Sequence, residues 1–137
     1  MENYFDLRMD PKNANAVSCL GLAHMGDGVF ELLVRSWICA HGRTTVQNLH
    51  RETVSYVSAP AQSRFMQRLE PLLTEQEAAV YRRGRNTHVH GVPKSATPKE
   101  YARATGLECL FGYLFLTGQQ TRANELFVTV MEEIYGI

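Results

Sequence analysis

Residues 22–40 read LAHMGDGVFELLVRSWICA, and this stretch decides the fold. Wound as a helix, it is apolar around most of its circumference: Val29, Phe30, Leu33, Val34, Trp37 and Ile38 leave no wide polar face. Such a helix belongs at the centre of a helical domain and not on its surface. Yet it carries Asp27 near its start. An ionised carboxylate is expensive to bury without a positive partner, and that partner is either a basic side chain or a metal ion. Glu31, one turn later, can join the same face. It also stands one turn before Arg35, the favourable order for an i, i+4 ion pair, which is the preferred reading of this acid.

A second segment matches the first in character. Leu107 to Leu116 is the most apolar run in the chain, and Glu108 is its one charge. Two central helices packed side by side can bring Asp27 and Glu108 together. Facing carboxylates make an all-oxygen site suited to Mg²⁺ or Mn²⁺. On the residues alone the plainer alternative stays open, in which one or both acids are structural, paired with an arginine or capping a helix.

Outward from these two segments the pattern stays helical. A first helix is expected near Asn13 or Asn15, broken or joined at Gly21, with the central helix ending around His41 and Gly42. Thr44 or Thr45 can cap the next helix, through Val46, Leu49, Val54 and Tyr56. Ser58 before Ala59-Pro60 reads as an N-cap with proline in the first turn, opening a helix to about Leu73. Thr74-Glu75-Gln76-Glu77 and Thr97-Pro98-Lys99-Glu100 both have capping-box spacing. The first starts a short helix that Gly84 should stop. The second starts the helix that runs on to Thr117, and residues 85–96 between them form the longest loop. A last amphipathic helix from Thr121 through Leu126, Phe127 and Ile134 closes the pattern. No strand-like alternation is sustained, so the fold class is all-α.

The chain of 137 residues is expected to be a single domain with one core. Lys+Arg and Asp+Glu are each 14, so net charge offers no argument for nucleic acid or membrane, and a basic site must be local. Cys19, Cys39 and Cys109 are widely spaced in apolar sequence and suit reduced core thiols better than a disulfide frame. The first ten residues hold three acids and no apolar run, so no secretory or transit signal is visible there. No apolar run approaches the roughly 20 residues of a membrane span. A soluble, cytoplasmic protein is the expectation, with no membrane partner.

One local basic stretch does stand out. Arg82-Arg83-Gly84-Arg85-Asn86 is followed by His88, His90 and Lys94, with no acid between Glu77 and Glu100. Charges concentrated in a flexible, glycine-containing turn can track phosphates; a solvated surface run is the bland counterpart. His88 and His90 are weak metal candidates without acidic or cysteine neighbours. His24, three residues before Asp27, can be a base or simply a packed histidine. Neither a G-x-S-x-G elbow nor a P-loop pattern occurs.

Leu20-Gly21-Leu22-Ala23-His24-Met25-Gly26-Asp27-Gly28-Val29-Phe30-Glu31 resembles the first signature of Mini-ribonuclease III, the stand-alone catalytic branch of the ribonuclease III family. His50-Arg51-Glu52-Thr53, Tyr56 to Gln62, Arg82 to Asn86, and Val92-Pro93-Lys94 resemble its later motifs in order. Ala104 to Gly118 resembles the signature around the second catalytic acid, and the likeness covers about residues 13–130. It implies an all-helical endonuclease that works as a homodimer on double-stranded or structured RNA. The substrate it implies is a 23S ribosomal RNA precursor, cut to leave 5′-phosphate and 3′-hydroxyl ends, with room for a ribosomal protein as helper. By motif position Asp27 and Glu108 are the catalytic ligands of Mg²⁺, for which Mn²⁺ can substitute. Glu31 is a neighbour that can act through them. Arg82, Arg83, Arg85, Asn86 and Lys94 are the candidate RNA contacts.

Classical ribonuclease III enzymes carry further acids where this chain has Ala23 and Thr105. Mini-type enzymes resemble it in that thinning. Thr87-His88-Val89 departs from relatives that have a small residue, a lysine and a serine after the Arg-Asn motif. No double-stranded-RNA-binding domain is expected here, so RNA grip is expected from the dimer itself. The alternative class is a non-catalytic ribonuclease III-like scaffold that binds RNA or assists ribosome assembly, which would not need two buried acids.

Overall fold

Asp10 opens the first helix. Its carboxylate accepts a hydrogen bond from the Lys12 amide at 2.8 Å, and Pro11 takes a first-turn position, where its missing N–H costs nothing. The structure, a computed structural model, describes residues 1–41, 45–87, 91–92 and 94–136. Helix α1 (Pro11–Ala16) therefore starts earlier than the asparagines suggest, and it ends at Val17, whose backbone is extended. Helix α2 (Cys19–His41) follows, with Gly21 inside it and not at a joint. Then come α3 (Val46–Val57), α4 (Ala59–Leu69), a 3₁₀ turn (Glu70–Leu72), α5 (Glu75–Arg85), α6 (Pro98–Leu116) and α7 (Gln120–Tyr135). The described residues contain no strand. Gly42, Thr44, His88 and His90 lie outside the described residues.

Three of the caps read from sequence are formed, while Thr45 takes the N-cap position of α3 without a side-chain cap bond. Ser58 accepts from the Ala61 amide, and Thr74 with Glu77 and Thr97 with Glu100 close reciprocal capping boxes. Each satisfies two donors that a helix start would otherwise leave bare. Gly84 behaves differently from expectation: α5 passes through it and ends at Arg85. A Cβ there would stand 2.6 Å from Cys109 Sγ and 3.0 Å from Gly106 Cα. This glycine lets α5 press against α6 and does not stop the helix.

Helix α6 is the hub, packing on α2 most extensively and then on α5 and α4. Leu107, Leu110, Phe111 and Leu114 on α6 are fully buried, as are Leu22 and Val34 on α2. The Phe30 ring of α2 meets Phe65 of α4, Phe111 of α6 and Phe127 of α7 edge-on, with centroids 5.1, 5.5 and 5.9 Å apart. Edge-to-face pairs of this kind add about 0.5–1.5 kcal/mol each beyond area burial. One side chain thus fixes the rotation of α2 against three other helices.

Two glycines set the distance between α2 and α6. A Cβ on Gly26 would overlap the Glu108 carbonyl, and one on Gly112 would overlap the Leu22 carbonyl. Bare backbones therefore touch where the helices meet, which brings the residues beside the glycines within side-chain reach of one another.

A buried ion pair ties α5 to α7. Arg122 Nε and Nη2 donate to the two Glu77 carboxylate oxygens at 2.9 and 3.0 Å, and Nη2 also reaches the Leu72 carbonyl at 2.9 Å. Burial alone would raise the Glu77 carboxyl, but the Arg122 guanidinium and the Thr74 cap hold it below its usual value. No helix among the described residues is long and apolar enough to cross a membrane.

Candidate active site

Asp27 follows Gly26 directly, so the close approach of the two backbones delivers its side chain to α6. It meets Glu108 there. The two carboxyl groups lie within hydrogen-bonding reach of each other, Asp27 exposed and Glu108 half-buried. The two acids hold equivalent places on their helices, since Asp27 precedes Phe30 by three residues and Glu108 precedes Phe111 by three. Those phenylalanines are in edge contact, so the ring contact and the glycine contact bracket the acid pair from either side.

The electrostatics follow from this placement. Glu108 is pushed up to about 8, first by burial, then by the Asp27 charge and the hydrogen bond to Asp27; the Gln62 amide pulls in the opposite direction. Among the described residues neither acid is ion-paired with a lysine or arginine. The arginine-paired alternative for these two acids is therefore not realised. With no basic partner among the described residues, burial and the Asp27 charge favour the protonated form of Glu108. A divalent cation would displace that proton, and an all-oxygen donor set suits Mg²⁺.

Among the described residues no third His, Cys, Asp or Glu joins the pair, so these two carboxylates alone would have to hold an ion that otherwise keeps its waters. Beside the pair, Gln62 on α4 is 2 % exposed and its Nε2 has no hydrogen-bond partner. A buried donor facing an acid pair is what a charged centre with bound waters can satisfy.

The other residues singled out from sequence divide. Glu31 is ion-paired with Arg35 at 3.0 Å, the reading preferred from their spacing. His24 is exposed on α2. Arg82, Arg83 and Arg85 occupy the last turn of α5, and Asn86 caps it. They are therefore on a helix end and not in a flexible turn. Cations in a last turn complement the helix dipole, and none of the three is in a salt bridge among the described residues. Arg85 lies over the Tyr81 ring at 5.5 Å, while Arg82 and Arg83 are exposed. Arg83 is close enough to α6 for its charge to act on Cys109, the residue after Glu108. Lys94 is exposed beyond that helix end.

All three cysteines are free, with Cys109 buried, Cys19 half-buried and Cys39 exposed, so only part of the expectation of core thiols holds. Cys109 Sγ donates to the Cys19 carbonyl at 3.0 Å. Burial, then Cys19 and Glu108, push its thiol up to about 12, which makes it inert at neutral pH.

Reading the sequence missed Gln62 as a site residue. The signal was available: a glutamine in the apolar stripe Ala61, Phe65, Met66 and Leu69 of an amphipathic helix is out of place unless it has a polar neighbour to serve.

Comparison with known proteins places this geometry. Residues 20–119 match the Ribonuclease III domain family. The chain is 50% identical over 107 residues to a Mini-ribonuclease 3 of Symbiobacterium thermophilum, covering 78% of this chain and 82% of that one. It is 43% identical over 121 residues to a Mini-ribonuclease 3 of a Thermoanaerobacter species, covering 86% and 85%. A crystal structure of a Fusobacterium nucleatum protein superimposes with a TM-score of 0.77 at 26% identity, over 85% of this chain and 90% of that one.

Proposed function

This chain belongs to the ribonuclease III family, in its Mini-ribonuclease 3 branch, and is an endoribonuclease of double-stranded RNA; from that premise we propose how its residues do the work. Asp27 and Glu108 are the catalytic acids and hold Mg²⁺, with Mn²⁺ as a substitute. The observation that carries this is the adjacency of the two carboxyl groups with no basic partner among the described residues; burial first, and then Asp27, raise Glu108 to about 8. Two carboxyl groups crowded together without a basic partner cost stability, and an RNA-holding scaffold has no use for them.

Bound at the pair, Mg²⁺ supplies an activated water and neutralises charge on the phosphate under attack. The chain's own groups do the rest. Glu108 would hold the ion as a carboxylate and orient it from its half-buried position. Asp27 presents its carboxylate on the solvent side, where a duplex backbone can reach it. Arg82, Arg83, Arg85, Asn86 and Lys94 grip phosphates on the adjoining surface. An A-form duplex is held by backbone and 2′-hydroxyl contacts, which suits a row of cations with no base-reading groove. Cleavage leaves 5′-phosphate and 3′-hydroxyl ends. The family resemblance points to a 23S ribosomal RNA precursor in the cytoplasm as the physiological duplex, with a ribosomal protein as a helper.

The working unit we propose is a homodimer. Leu22 is fully buried in the core and Trp37 is partly buried against it. Leu20 and Leu32 on the same helix are 53% and 55% exposed and are the apolar positions that support an interface.

The test is direct. Purified protein is incubated with a duplex RNA and a single-stranded control, with and without Mg²⁺, and product ends are analysed. Cleavage of the duplex alone, only with Mg²⁺, is expected. Metal-independent cutting, or equal cutting of the single strand, would overturn the proposal.

A further inference from the structure

Gln62 is the polar side chain at this site that packing does not explain. It is 2 % exposed on α4, a helix that packs against α6. Its Nε2 is buried without a hydrogen-bond partner, although it lies near enough to Glu108 to favour the charged carboxylate. An amide donor buried and unpaired destabilises a folded chain, and an apolar side chain of the same size would not. Methionine or leucine would also continue the stripe of Ala61, Phe65, Met66 and Leu69. The glutamine is therefore placed for a polar neighbour that apolar packing alone does not require.

We propose that Gln62 is a positioning residue of the metal centre, donating its Nε2–H to the Glu108 carboxylate when that group binds a cation. This rests on the reading of Asp27 and Glu108 as metal ligands. The physical logic is that of an outer partner for a ligating carboxylate. A carboxylate that gives one oxygen to a cation can rotate unless its other oxygen is held. A neutral donor from α4 holds one oxygen and leaves the other to the ion. It adds no charge, so it neither repels the cation nor strengthens the repulsion between the acids. A glutamate at position 62 would do the second and an arginine the first.

The experiment measures Mn²⁺ binding by calorimetry without RNA for the wild type, Gln62→Met and Asp27→Asn, together with the melting temperature of each metal-free protein. Gln62→Met is expected to melt at the same or a higher temperature, because it removes an unpaired donor. Its Kd for Mn²⁺ should rise by about tenfold, the low end of what outer-partner losses cause. A Kd within twofold of wild type, while Asp27→Asn abolishes binding, would overturn the role of Gln62 alone. Wild-type-like Mn²⁺ binding by Asp27→Asn would overturn the metal reading of the acid pair as well. A second measurement uses wild-type protein labelled with ¹⁵N at glutamine side chains. The Gln62 amide resonance should shift and become protected from exchange on adding Mg²⁺. A resonance that does not move would overturn the proposal, whatever the variant's folding behaviour.

Discussion

Gly26→Ala should cripple this protein by a single methyl group. The added Cβ would overlap the Glu108 carbonyl and stand 2.8 Å from the Gly112 amide nitrogen, both of them backbone and unable to swing aside. Restoring ordinary contact requires α2 and α6 to separate by roughly 1 Å or more, and overpacking of this kind costs about 1–3 kcal/mol in a tight core. The upper end applies here because the helices meet through backbone. Alanine's better helix propensity returns only about 1 kcal/mol. The functional loss should be larger than the stability loss suggests. Asp27 and Glu108 are set by that same spacing, and a displacement of about 1 Å costs on the order of 100-fold in rate. Gly28→Ala is the control two residues along the helix, where a Cβ meets nothing within 4 Å. It should stabilise by up to about 1 kcal/mol and leave cleavage unchanged. Urea unfolding and single-turnover cleavage of a duplex at saturating Mg²⁺ measure both effects. If Gly26→Ala matches Gly28→Ala in stability and rate, the glycine contact does not set the acid pair.

Other expectations follow from the same contacts. Arg122→Ala strands a Glu77 carboxylate that is 5% exposed, and should cost about 3 kcal/mol by urea titration. The Glu77 carboxyl is held below its usual value, so its pairing stabilises at neutral pH and that contribution fades as pH falls through the lowered pKa; Arg122→Ala should flatten this part of the acid profile. Glu108 gives the opposite sign. Its pKa is raised from 4.5 to about 8, so the folded metal-free protein holds an extra proton in that window and loses stability as pH rises across it. The total is on the order of 4 kcal/mol at most. Melting curves of metal-free protein should show a slope between pH 5 and 8 that Glu108→Gln removes, and an unchanged slope would refute the coupling. Arg83→Ala should lower duplex affinity and reduce the salt slope of binding by about one unit, and a slope equal to wild type would move the RNA surface away from the end of α5.

Much of this arrangement was legible in the sequence, for local reasons. The two apolar segments with one anomalous acid each are α2 and α6, and their acids do meet. Capping boxes at Thr74 and Thr97 are written in four consecutive residues, and both are formed. What escaped was tertiary. Gly84 has the local chemistry of a helix stop, but its meaning lies in Cys109 and Gly106 on another helix. Gly26 and Gly112 likewise carry no sequence mark of being contact points. Glu77 was legible as a capping residue, while its pairing with Arg122, 45 positions away, was not. Gln62 had a local signal in its apolar stripe, yet its neighbour Glu108 belongs to a helix that sequence alone could not bring beside it. Asp10-Pro11, and not the asparagines that follow, caps the first helix.

The central claim is that Asp27 and Glu108 do the chemistry while the basic end of α5 holds the RNA. Cleavage and binding of one duplex, measured side by side for wild type, Asp27→Asn and Glu108→Gln, separate the two roles. Both variants should lose Mg²⁺-dependent cleavage by at least about 100-fold while binding the duplex with nearly unchanged affinity. Cutting at the wild-type rate by either variant would contradict the account.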